Sequence, residues 1–144
     1  ENKWSELDKL NPEFSRLLLE KWNLLEWRLV RERLRFTRDA YTDYFRDIPR
    51  TRLLQLAVRK NRLVRIGKEE FEKLDDLNKV ALIFHEGVSE LYFELLKDCR
   101  DIDETSGPTG KIVSMLFKNR SSDESLTFQS MIESLLNPKC QKVR

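Results

Sequence analysis

Leu77, Val80, Ala81, Phe84, Val88, Leu91, Tyr92 and Leu95 recur at steps of three and four residues, the spacing of a single face of an α-helix. Asp75-Asp76 stands just before this run and supplies both an N-cap acceptor and negative charge at the positive end of a helix dipole. The pattern predicts one long helix over residues 75–99. Val80 to Phe84 is apolar on all sides, so neighbours are expected to cover its first half on more than one flank. The side bearing Glu86, Glu90, Phe93 and Glu94 is expected to be wetter. Gly87, in mid-helix, costs roughly 1 kcal/mol relative to alanine and predicts a close backbone approach by another element or a ligand.

The remaining elements follow from the same reasoning. Asn11-Pro12-Glu13 pairs an N-cap with proline at the first helical position, and Phe14, Leu17, Leu18, Trp22 and Leu25 continue one apolar face. A helix over residues 12 to about 25 is expected, preceded by a short turn of helix or an arm (residues 1–11) carrying Trp4, Leu7 and Leu10. Glu26 to Phe36 steps mainly by two, Trp27 and Leu29 against Val30, Leu34 and Phe36, which predicts a strand, with a helix as the alternative. Residues 37–52 are expected to form a loop. The two apolar runs flanking Lys60-Asn61 predict a hairpin, since asparagine tolerates the left-handed turn conformation, with a helix over residues 51–59 as the alternative. A short helix is predicted for Lys68 to Leu74, then a polar loop over residues 100–110 and a helix of about three turns that carries Ile112, Val113, Leu116 and Phe117 and ends at Asn119. A last helix opens at Ser122-Asp123-Glu124 and stops at Asn137-Pro138, leaving a tail at 137–144. The fold class expected is α+β in a single domain of 1–144. A small antiparallel sheet of two or three strands packs against several helices, the central one zincin-like.

With 40% hydrophobic and 36% charged residues, the chain has the composition of a globular protein with a strongly ionic surface, and no apolar run approaches a membrane span. The net charge of +2 conceals an asymmetry. Residues 13–68 hold 15 Lys/Arg against 7 Asp/Glu, and residues 69–104 hold 4 against 12. Mutual neutralisation across the fold is the plainer consequence; opposed surface patches are the other. Arg31, Arg33 and Arg35 are the candidate contacts to an anionic partner, such as an acidic cell-envelope polymer, the other expected partner class being another protein. The charge excess is too small, and the aromatic spacing too irregular, for a nucleic-acid platform. Trp4, Trp22 and Trp27 are expected mainly in the core, with Trp4 the one placed for exposure. Cys99 and Cys140 have no CxxC context; they would bridge in an exported protein and stay thiols in a reducing compartment.

His85 is the only histidine, and it is followed by Glu86. In zinc hydrolases a His-Glu pair on a helix is completed by a second histidine four residues on, and the glutamate acts on metal-bound water. Here that position is Ser89, a poor zinc ligand. A metal site would therefore use His85 as ligand and Glu86 as general base, completed by carboxylates from Glu90, Glu94, Asp101, Asp103 or Glu104. The leading expectation is instead a packed imidazole hydrogen-bonded to Ser89, Tyr92 or a loop carbonyl, with Glu86 capping a backbone group.

Gln55-Leu56-Ala57-Val58-Arg59, Val64-Arg65-Ile66, the Phe71/Leu74 helix, Ala81-Leu82-Ile83-Phe84-His85-Glu86 and Lys111-Ile112-Val113-Ser114-Met115-Leu116-Phe117 together resemble a family of uncharacterised exported proteins of predatory, Bdellovibrio-type bacteria. Members of that family usually carry an aromatic residue at the position of Ser89 and a small one at that of Gly87. The resemblance implies a zincin-shaped helix whose second histidine is commonly absent. A periplasmic or secreted location is expected, with a cytoplasmic one as the alternative; a chain opening on Glu1 fits a mature form or an excised piece. The function expected is a non-catalytic structural or interaction domain without a cofactor. The alternative is a peptidase-like, metal-dependent hydrolase with zinc or another divalent metal on His85 and Glu86.

Overall fold

Six helices and three strands account for the regular structure among the described residues, 3–31, 57–60, 62–100 and 107–142, of the computed structural model. Helix α1 (Lys3–Leu10) and helix α2 (Pro12–Leu24) are separated by Asn11, whose side chain accepts the Phe14 backbone N–H at 3.0 Å. Strand β1 (Glu26–Val30) follows directly. Strands β2 (Ala57–Lys60) and β3 (Leu63–Gly67) make the expected hairpin and lead into the short helix α3 (Lys68–Glu72). The long helix α4 (Asp76–Leu96) begins on the Asp75 side chain, which accepts the Asn78 N–H at 2.8 Å. Helix α5 (Gly107–Phe117) and helix α6 (Ser122–Leu136) complete the order; α6 opens on a reciprocal capping box between Ser121 and Glu124. The fold is α+β.

Two hydrophobic clusters meet on α4. The larger is all-helical, with Leu7, Phe14, Leu18, Val88, Val113 and Phe128 among its buried members. The smaller lies between the sheet and α4, where Leu25, Ala57, Val64, Ile66 and Leu82 close on one another. One helix thus presents Leu82 to the sheet and Ala81, Val88 and Leu91 to the bundle, which gives the apolar run its position between two layers. Gly87 does permit a close approach: a Cβ built there would stand 3.1 Å from Trp22 Cδ1 and 3.2 Å from Leu18 Cδ1, both on α2.

Several expectations are corrected. The sheet is mixed, in the order β1-β3-β2, because β1 pairs with β3 in parallel, Trp27 beside Val64. Only two residues separate β2 from β3, which fixes that pair as antiparallel, whereas more than a dozen separate β1 from β2, enough for a parallel return. Helix α5 ends at Phe117 and starts at Gly107, inside the expected loop, since Pro108 falls in the first turn, where no N–H is required of it. The N-terminal residues form a helix with Leu7 fully buried, not an arm. The C-terminal tail is tied down: Arg100 N–H donates to Gln141 O at 2.9 Å, and Cys99 and Cys140 are joined as a disulfide with Cα atoms 5.6 Å apart.

The start of α4 is also less covered than its composition implied, with Leu77 56% and Val80 40% exposed. None of the three tryptophans is fully buried; all sit part-exposed at the margins of the two clusters. The candidate loop at 37–52 and the continuation of β1 beyond Arg31 lie outside the described residues.

Candidate functional site

Side chains alternate across a strand, so Ala57 and Arg59 of β2 point to the same face of the sheet. Their cross-strand neighbours on β3 are Ile66 and Val64, both buried. Arg59 is therefore carried by the pleat to the side that faces α4. A cation delivered to such a place must be met by anions.

Helix α4 meets it. Glu86, Ser89, Glu90 and Phe93 follow one another at steps of three, one and three residues and share a face of the helix. Arg59 Nη1 donates to Glu90 Oε2 at 2.5 Å, Nη2 donates to Ser89 Oγ at 3.1 Å, and Nε lies 3.7 Å from Glu86 Oε2. The guanidinium carbon stands 5.6 Å from the centre of the Phe93 ring, within cation–π range. All three guanidinium nitrogens are directed at α4, an arrangement suited to the planar fork of arginine and not to the point charge of lysine.

His85 and Glu86, the residues marked for metal ligation and general-base catalysis, are each 7% exposed. His85 Nδ1 lies 3.6 Å from Glu86 Oε1, so the two carboxylate oxygens of Glu86 are turned to different partners: one to the imidazole, the other to Arg59. Ser89, one of three expected partners for His85, accepts a hydrogen bond from Arg59. Glu86, expected to cap a backbone group, is engaged in this ionic cluster. Glu94 faces elsewhere, 3.8 Å from Lys21 of α2 and 3.6 Å from Lys97.

Among the described residues no group of three or more His, Cys, Asp or Glu side chains converges as a metal shell would require. Asp101, Asp103 and Glu104 lie outside those residues. The two carboxylates nearest His85 along the helix are both directed at a guanidinium, so the donor set around His85 fits a divalent cation poorly. Of the arginines marked for an anionic partner, Arg31 is exposed at the end of β1, and Arg33 and Arg35 lie outside the described residues.

Arg59 was the member that sequence reasoning missed. Its signal was the alternation Ala57-Val58-Arg59-Lys60, which places one basic residue beside an alanine on the inner face, but the many other basic residues of that block masked it.

Compared with models of protein families, with curated proteins and with solved structures, the chain matches none. The site is accordingly read from its own chemistry.

Proposed function

We propose that this domain is a non-catalytic structural or interaction module, its His-Glu helix retained as packing and not as a metal centre. The observation that carries this reading is the Arg59 guanidinium directed at Glu90, Ser89 and Glu86 together. A general base must reach the proton it abstracts, directly or through one water. Glu86 is buried and turned toward a fixed cation. A zinc site needs three or four donors around an open position, whereas the hydroxyl at residue 89 is already accepting a hydrogen bond.

In this role the cluster fastens the β2–β3 hairpin to α4 by a polar clasp beside the apolar one formed by Ala57, Val64, Ile66 and Leu82. The Cys99–Cys140 bridge supports an exported setting, where disulfides persist, in keeping with the resemblance to exported proteins.

Elemental analysis of protein purified without chelator tests the reading. We expect no stoichiometric zinc, manganese, iron or nickel, and His85→Ala to alter thermal stability without altering metal content. A stoichiometric metal that disappears in His85→Ala would instead establish the hydrolase alternative, with His85 as ligand and Glu86 beside it.

A further inference from the structure

Two clefts adjoin beside the N-terminal half of α4. The first, of about 330 Å³, is walled by Trp4, Leu19, Trp22, Ile83 and Phe84, and its surface is almost wholly apolar. The second, of about 430 Å³, shares Trp22 and Ile83 with the first and adds Trp27, Ile66 and Phe71. With Trp22 and Ile83 as common walls, the two clefts between them take in all three tryptophans of the chain, an apolar groove beside α2 and α4. Leu19, in the wall of the first cleft, is about two-fifths exposed. Each cleft reaches the size of small-molecule sites, which bury a ligand among hydrocarbon and aromatic walls.

The wall restricts what can enter. An extended peptide brings backbone N–H and C=O groups that lose free energy when buried without partners, and the first cleft offers almost no polar surface to receive them. An α-helix, roughly 10–12 Å across with its side chains, can lay no more than a few side chains of one face into clefts of this volume. A methylene chain has nothing to satisfy and gains about 0.8 kcal/mol for each CH₂ removed from water.

A cation stands beside Phe71, in the wall of the second cleft. Lys79, one helical turn before Ile83, holds its ammonium 5.6 Å from the centre of the Phe71 ring. Among the described residues Lys79 has no carboxylate within ion-pairing distance. Beside an apolar groove, that cation favours a ligand that is anionic at one end and hydrocarbon along the rest.

We propose that the groove binds the chain of a free long-chain carboxylate, with the carboxylate drawn to Lys79 and the alkyl tail lying along Trp22 and Ile83 toward Trp4. This site is separate from the Arg59 cluster, and its test does not depend on whether His85 holds a metal.

Dodecanoate, titrated below its micellar concentration, is the probe. The expected result is saturable binding of one molecule per chain with a blue shift of tryptophan emission, by calorimetry and fluorescence. Ile83→Asp, its folding checked by circular dichroism, should weaken binding by at least about tenfold. Lys79→Gln, a change on a part-exposed helix position, should weaken it roughly three- to fivefold and leave the fold unchanged. Dodecyltrimethylammonium should bind more weakly than dodecanoate to the unaltered protein. Absence of saturable binding, unchanged affinity in Lys79→Gln, or equal affinity for the cationic amphiphile would each overturn the proposal. So would binding only to phosphatidylglycerol vesicles, which would reassign the groove to a membrane surface.

Discussion

At the scale of single residues, Arg59 matters more than its composition class suggests. It is mostly buried, and the Glu86 and Glu90 carboxylates it faces are too. Removing one member of such a pair leaves a desolvated charge uncompensated. Arg59→Met is therefore expected to lower unfolding free energy by about 2–3 kcal/mol in urea titrations at neutral pH. Adding Glu86→Gln and Glu90→Gln should recover much of that loss, because no bare charge then remains. A loss below about 0.5 kcal/mol would show that the cluster behaves as a solvated surface pair.

Glu6 supplies a second residue-level test. Burial pushes its carboxyl up, but hydrogen bonds from Lys3 and Arg120, with their positive charges, outweigh that and hold it below the ordinary value of 4.5. A carboxyl depressed in the folded state stabilises the fold above the unfolded value, and that contribution disappears as pH falls through the folded one. Thermal melts from about pH 6 to about pH 3 should therefore show acid destabilisation that is smaller in Glu6→Gln. His85 and Glu86 were legible in the sequence because their types announce chemistry. Arg59 was not, because its partners lie some thirty residues away and only strand pleat and pairing bring them to it.

At the scale of elements, helices were the most readable part, since a 3.6-residue period and local caps are properties of contiguous sequence. The Asp75 cap, the Asn11-Pro12 start and the stop at Asn137 all recur in the structure. The direction of β1 was unreadable, because pairing direction is a relation between distant segments and leaves no local mark. Gly87 joins the two cases: its presence pointed to a close approach, and only the structure identifies α2 as the element that approaches. Alanine there would gain helix propensity yet press on Leu18, which is fully buried and has little room to yield. Gly87→Ala is thus expected to destabilise by roughly 1 kcal/mol net, measured by thermal melting. The opposite sign would mean that α2 moves away at little cost. Ser121→Ala should lose about 1 kcal/mol with the α6 capping box.

At the scale of the whole molecule, the basic first half and the acidic stretch after it are joined by ion pairs: Arg59 with Glu86 and Glu90, Lys21 with Glu94. Mutual compensation thus accounts for part of the charge asymmetry. The disulfide closes a sequence separation of 41 residues around α5 and α6. By the loop-entropy relation such a closure is worth up to about 4 kcal/mol, so reduction, or Cys99→Ser with Cys140→Ser, should lower the melting temperature by several degrees or more. An unchanged melting temperature would show that the bridge contributes nothing to the folded state.

The parallel pairing of β1 with β3 carries a further consequence, for the order in which the chain assembles. Strands β2 and β3 are neighbours in sequence and can zip together within about 1–10 μs. Strand β1 reaches the sheet only after the intervening connection has been closed, at an entropic cost that grows with its length. The helical bundle and the hairpin are therefore expected to form early, and the seating of β1, with Trp27 moving in beside Val64, to come last. A late tryptophan signal in stopped-flow refolding that lags the helical signal would be its trace.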